Sequence, residues 1–215
     1  MKLSTVLGVA AAGILASHTA NAGLVSPDNA TASSQHSGSY APGFTIDGSG
    51  LPANFTAADP HANYAANNHW TAANGDLLNA SITWLFNAPQ AFSAIVIWNH
   101  RSNIIAANPG YEPTLFDLTV RDAANNVLLY WDDMGIAPDT ATGQIFSFGG
   151  TISGISSVRF DVEAVQSSTT WTGLAEVAFD DAQIDVVPVA PALPFLLTGL
   201  AGLLALKSRA KRAAA

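Results

Sequence analysis

The stretch that decides the fold is Phe92-Ser93-Ala94-Ile95-Val96-Ile97-Trp98-Asn99-His100-Arg101. At the strand period of two, Ile95 and Ile97 point to one side and Val96 and Trp98 to the other, so Ala94 to Trp98 has no polar face. A strand of this kind has to be covered on both sides. It reads as a central strand of a layered β domain, which the chain leaves abruptly into the polar triplet Asn99, His100, Arg101.

Outward from this strand, period-two or fully apolar runs recur between Gly, Pro, Asn and Asp, and no long amphipathic helical pattern interrupts them. Strands are expected at about Ala30 to Gln35, Ser81 to Phe86, Ala94 to Trp98, Phe116 to Arg121, Val127 to Trp131, Gln144 to Phe148, Ser156 to Ala164 and Leu174 to Phe179. The cleanest alternation places Val158, Phe160, Val162 and Ala164 inward, and Arg159, Asp161 and Glu163 outward. Phe116, Leu118 and Val120 repeat it, and Asp122 to Asn126 then reads as a hairpin turn into Val127. Eight short antiparallel strands with turn-rich joints predict an all-β sandwich of the jelly-roll kind. Gly48 to Ala80 fits no strand. A connection this long is functional or mobile, and Trp70 is expected to pin it to the core.

Both ends of the 215-residue chain read as targeting segments. Lys2, the apolar run Leu3 to Ala16 and the small-residue pattern Ala20-Asn21-Ala22 form a secretory signal peptide over residues 1–22. The domain then occupies 23–183. Residues 184–215 hold Pro188, Pro191 and Pro194, an uncharged run from Phe195 to Leu206 that predicts a short membrane helix, and the basic residues Lys207, Arg209, Lys211 and Arg212. This order resembles the bacterial sorting signals of the PEP-CTERM class, and Val187-Pro188-Val189-Ala190-Pro191-Ala192 is similar to its Val-Pro-Leu-Pro-Ala variant. The resemblance implies an exosortase-type membrane protease as a partner, and a cell-surface or extracellular destination. A plain C-terminal membrane anchor is the alternative.

Between Gly23 and Val187 only Arg101, Arg121 and Arg159 are basic, against all 16 acidic residues, a net charge of 3 − 16 = −13. Too little positive charge remains to neutralise phosphates, which excludes nucleic acid as a partner. The chain has no cysteine, hence no disulfide staple and no thiolate metal site. Stability must come from a core, and the segment is long enough to bury one.

Catalytic patterns are absent. There is no Gly-x-Ser-x-Gly elbow, and adjacent acids such as Asp132-Asp133 and Asp180-Asp181 point to opposite faces of a strand rather than pairing. His36, His61, His69 and His100 show no metal-binding spacing and read as solvated loop residues.

The order of several short pieces resembles the discoidin (coagulation factor V/VIII type C) and galactose-binding-like domains. These pieces are Ala30-Thr31-Ala32-Ser33-Ser34, Ile46-Asp47-Gly48-Ser49-Gly50-Leu51, Trp70, Ile82 to Phe86 followed by Phe92 to Asn99, and Trp171-Thr172-Gly173-Leu174-Ala175-Glu176-Val177. The resemblance implies a non-catalytic module and a structural calcium ion held by an Asp-Gly turn and a late Glu, here Asp47 and Glu176, with Ser49 as a supplementary oxygen. Hard oxygen ligands suit calcium. The bland alternative makes Asp47-Gly48 a simple turn and Glu176 an exposed strand residue.

For ligand binding, planar polar groups and rings on loops are the useful residues, because sugars offer hydroxyls and apolar ring faces. Asn99, His100, Arg101 and Tyr111 lie in the loop after the central strand. Trp171 and Tyr64 would have to be brought there by folding. The leading expectation is an exported module that binds extracellular carbohydrate, such as the exopolysaccharide of its own matrix. A structural or adhesive surface protein acting through protein contacts is the second, and a glycan hydrolase the third.

Overall fold

A computed structural model describes residues 23–101, 110–168 and 170–181. The expected signal peptide, sorting motif and C-terminal membrane helix lie outside the described residues, as do residues 102–109 of the loop after the central strand. Among the described residues no helix is long and apolar enough to cross a membrane.

The domain is an antiparallel β-sandwich of eight strands: β1 (Leu24–Val25), β2 (Asn29–Ala32), β3 (Trp70–Thr71), β4 (Ser81–Asn99), β5 (Pro113–Arg121), β6 (Val127–Gly135), β7 (Gln144–Val165) and β8 (Gly173–Asp181). Two 3-10 turns, Gly38–Tyr40 and Pro42–Thr45, lie between β2 and β3. The sequence-predicted strands are found, the first as Asn29–Ala32 rather than Ala30 to Gln35, and Ser81 to Phe86 and Ala94 to Trp98 are the two halves of the 19-residue β4. Gln144 to Phe148 and Ser156 to Ala164 are likewise the two ends of the 22-residue β7.

These two long strands build both layers. The first half of β4 pairs with β2 and with the second half of β7, which in turn pairs with β5, and β5 with β6. The second half of β4 pairs with β8 on one side and the first half of β7 on the other. Along β4 the inward phase changes: Ile82, Trp84 and Phe86 enter the core from the first half, Ile95 and Ile97 from the second. An odd shift in a strand of period two exchanges its faces, and the register breaks between Leu85 and Ala94 supply it. On β7 the matching corner holds Gly154 at φ +83°, a left-handed backbone that suits glycine.

The layers meet through rings. Trp84 of β4 lies 6.5 Å from Phe179 of β8, and Phe116 of β5 packs on Phe146 across the sandwich at 5.2 Å. Val158, Phe160 and Val162, like Phe116, Leu118 and Val120, are wholly buried, as their alternation requires. At the hairpin, Asp122 Oδ1 accepts the N–H groups of Ala124 (2.9 Å) and Asn126 (2.8 Å).

The outer face of the central strand is also covered. Val96 and Trp98 form a second cluster with Ala175 and Ala178, and Leu24, Leu51, Phe55 and Ala57 pack on it. The irregular stretch after Gly48 thus supplies the second cover that the sequence of β4 demands. Trp70 fixes it further on: its side chain is wholly buried in the main core, and its indole N–H donates to Ser34 O at 2.9 Å.

Candidate functional site

One end of the sandwich gathers the exit of β4, the start of β8 and the irregular segment. β3 pairs with β8 (Trp70↔Leu174, Thr71↔Gly173), placing Thr71 at the first turn of the last strand. His36 donates its backbone N–H to Thr71 O (2.8 Å), and Tyr64 donates its own to Arg101 O (3.3 Å). Thr172 Oγ1 donates to Tyr111 O at 3.2 Å, joining the approach to β5 to the approach to β8. Short backbone bonds therefore bring segments far apart in sequence to one place.

The triplet after the central strand is not a ligand-facing group. Asn99 is wholly buried: its Nδ2 donates to Pro113 O (2.9 Å) and Ala137 O (3.1 Å), and its Oδ1 accepts the His100 N–H (2.8 Å). A side chain so engaged is a brace between loops. His100 is also buried, with Nε2 3.3 Å from Thr71 Oγ1. Arg101 is half-buried, and its guanidinium donates to His61 O, bracing the irregular segment.

The histidines correct the sequence reading too. Among the described histidines only His36 is exposed; His61, His69 and His100 are buried. Their rings pack edge-on, His61 to His69 at 4.8 Å and His69 to His100 at 4.9 Å. Burial holds His100 neutral, pushing it down to about 3, with the charge of His61 adding to the effect. Desolvation likewise lowers His61 and His69, His69 strongly. Period and spacing give no hint of this, because the fold-back of 48–80 hides the rings. Among the described residues no three acidic or histidine side chains converge as a metal set.

Above this buried trio lies a pocket of about 230 Å³ lined by His36, Tyr40, Tyr64, Thr71, Tyr111 and Trp171. Five of the six carry rings, and the rings close a circuit: His36 to Tyr40 at 5.5 Å, Tyr40 to Tyr64 at 5.3 Å, Tyr64 to Tyr111 at 6.4 Å, Tyr111 to Trp171 at 6.5 Å and Trp171 to His36 at 4.4 Å. Tyr64 also rests on His100 at 4.7 Å, so the buried histidines back the pocket wall. Burial raises the phenols of Tyr64 and Tyr111, and a bond with Tyr40 raises Tyr64 further. Both stay protonated at neutral pH, able to donate and to accept.

Tyr111, Trp171 and Tyr64 are therefore brought together as the sequence reading required, although Asn99, His100 and Arg101 are not in the lining. His36, Tyr40 and Thr71 escaped that reading. The available signal was the scatter of His and Tyr through segments with no period, where a ring has no strand face to fill.

The second candidate group also assembles. Glu176 is wholly buried on β8 and accepts the Gly48 N–H through Oε2 at 3.1 Å, while Asp47 Oδ1 accepts the Ser49 N–H at 2.8 Å. Burial, aided by the charge of Asp47, pushes Glu176 up to about 9. Its Oε1 and the Oγ of Ser49 are buried without a partner. Glu176 is thus not an exposed strand residue. Two orphaned hard oxygens beside an aspartate fit a calcium ion in donor type. The turn itself is held close, since a Cβ on Gly50, whose φ is +97°, would meet the His61 ring at 2.4 Å.

A larger cavity of about 520 Å³ lies on the outer face, by Leu24, Phe55, Ala57, Val96 and Ile145. Asn54, Thr56 and Asp180 also line it, and Asp180 accepts from Ser93 Oγ at 3.1 Å.

No family model matches the chain, and no curated protein matches it. Solved structures do. A pectin binding carbohydrate binding module superposes with a TM-score of 0.53 at 14% identity, over 74% of this chain and 93% of that one. The lectin domain of lectinolysin complexed with Lewis B antigen gives 0.52 at 15% identity, over 70% and 90%. The likeness is one of fold. It establishes the expected antiparallel β-sandwich, here with an end where five rings meet the loops.

Proposed function

We propose that the protein is an exported, non-catalytic module that binds extracellular carbohydrate in the ring-lined pocket. The closed circuit of His36, Tyr40, Tyr64, Tyr111 and Trp171 carries this reading. It offers a sugar ring faces to lie on and hydroxyls to bond, in a concave place of roughly one-ring size. Among the described residues no carboxylate lines the pocket, so a paired-carboxylate hydrolysis finds no acid and base among them. Neighbours of the same fold that bind carbohydrate support the reading.

In this proposal residues 1–22 export the chain, and the 184–215 segment delivers it to the cell surface or matrix through an exosortase-type protease, the matrix polysaccharide being the ligand. Asp47, Ser49 and Glu176 hold a structural calcium ion that would take up the orphaned Glu176 Oε1 and favour the ionised carboxylate. A glycan array probed with the full-length chain tests the central claim. Binding lost in Trp171→Ala and Tyr40→Leu supports it. Silence against every polysaccharide, with and without calcium, removes it.

An adhesive protein acting through protein contacts is the second reading. It is favoured by β6, which among the described residues pairs only with β5 and exposes Val127 (51%) and Tyr130 (54%).

A further inference from the structure

The pocket and its surroundings differ in charge. Among the described residues the lining holds three phenols, an imidazole, an indole and a hydroxyl, with no Asp, Glu, Lys or Arg. The chain from Gly23 to Val187 as a whole carries 16 acidic residues against 3 arginines. A uronate carboxylate entering the pocket would be desolvated with no cation to meet it, and would approach against the field of the whole domain. A cation meets the opposite situation. Ring quadrupoles attract it, phenolic oxygens accept from it, and the net charge steers it inward.

The circuit is closed enough to matter. Each ring touches the next around the opening, the longest step being the 6.5 Å between Tyr111 and Trp171. A group inside the circuit therefore has π-systems on several sides, and attraction between a cation and a ring acts within about 6 Å of the ring centre. Thr71 Oγ1 and the phenolic oxygens supply acceptors for N–H donors, of which an ammonium brings three and an acetamido group one.

We propose that the pocket seats the protonated amine of an amino sugar, so that the polysaccharide bound at this site is one of free-amine hexosamines. The proposal rests on the carbohydrate reading above and specifies its ligand class. The outer carboxylates contribute the long-range field and do not enter the described lining of the pocket. Asp117, Asp132 and Tyr130 on β5 and β6 bond one another, Tyr130 Oη donating to Asp117 (2.8 Å) and Asp132 (3.0 Å).

The test is calorimetry on the full-length chain with glucosamine, N-acetylglucosamine and galacturonate oligosaccharides of equal length, at low and at moderate salt. Glucosamine oligomers are expected to bind at least tenfold more tightly than N-acetylated ones, weaken with salt, and lose at least tenfold in Trp171→Ala and in Tyr40→Leu, with galacturonate not binding. Equal or tighter binding of the N-acetylated or galacturonate oligomers, reduced by the same variants, overturns the amine preference and leaves carbohydrate binding standing. Glucosamine binding unchanged in both variants, each shown folded by circular dichroism, places the cation on the acidic surface and overturns the proposal. No binding of any oligomer overturns the amine proposal, and the glycan array then decides the carbohydrate reading by itself.

Discussion

The indole N–H of Trp98 donates to the carbonyl of Asp59 at 2.9 Å, tying the central strand to the irregular segment that covers its outer face. Phe55 meets the same indole edge-on at 5.4 Å. The strand and its cover are therefore one unit of packing, and neither is stable bare. Trp98→Ala should destabilise the protein by about 3–5 kcal/mol, the usual range for emptying a buried Trp site. The outer cover should become protease-sensitive first. Urea unfolding with limited proteolysis checks this; cleavage confined to the β5–β6 hairpin would contradict it.

The three buried histidines make the fold acid-labile. Their folded pKa values lie below the ordinary 6.5, because burial disfavours the charged form. As pH falls from 6.5 toward the value of about 3 for His100, the unfolded chain gains protons that the folded chain refuses. Stability then drops by up to about 1.4 kcal/mol per pH unit for each such histidine. His100→Gln, which keeps a partner for Thr71 Oγ1, should flatten the slope of urea-unfolding free energy between pH 6.5 and 4.5 by about one proton. An unchanged slope would show that His100 takes up a proton in the native state.

The layered architecture was legible in the sequence because burial leaves a period. Ala94 to Trp98 asked for two covers, and the alternations at Phe116 to Val120 and Val158 to Val162 fixed two inner faces. What escaped has no period. That β4 and β7 run through both layers depends on bulges near Gln90 and Gly154, where a turn-like Ala88-Pro89 reads as a break. The burial of Asn99 and His100 depends on carbonyls of Pro113 and Ala137, too distant in sequence for any local pattern to announce. Tyr111 and Trp171 were visible as loop rings, whereas His36 and Tyr40 gained meaning only when the 3-10 turn at Gly38–Tyr40 set them beside Trp171.

Glu176 gives the opposite pH signature from the histidines. In the cation-free protein its folded pKa of about 9 stands above the ordinary 4.5, so its contribution is present below pH 4.5 and is lost as pH rises toward 9. Calcium should reverse this by favouring the carboxylate, raising the melting temperature most at high pH. Glu176→Gln copies the protonated side chain. It should leave the melting temperature in chelator at pH 6 within a few degrees of the parent and abolish the calcium-induced rise. A calcium shift that survives in Glu176→Gln and in Asp47→Ala would place the ion elsewhere.

Asn99 and Trp171 both stood as ligand-binding candidates in the sequence, and the structure separates them. Asn99 bonds two carbonyls and its neighbour's N–H from a wholly buried position. Asn99→Ala leaves those groups unmatched and should destabilise by about 3 kcal/mol, at about 1–3 kcal/mol for each orphaned group. The affinity of the molecules still folded should not change. Trp171 is half-buried on the pocket wall, its backbone N–H bonded to Ser168 Oγ at 2.8 Å. Trp171→Ala should keep most of the stability and lose at least about 1.4 kcal/mol of carbohydrate binding, the tenfold loss expected of a ring on the pocket wall. Urea unfolding and calorimetric titration, run on both variants, read the two quantities independently. If Asn99→Ala abolishes binding at temperatures where the variant remains folded, the brace at the end of β4 shapes the pocket itself.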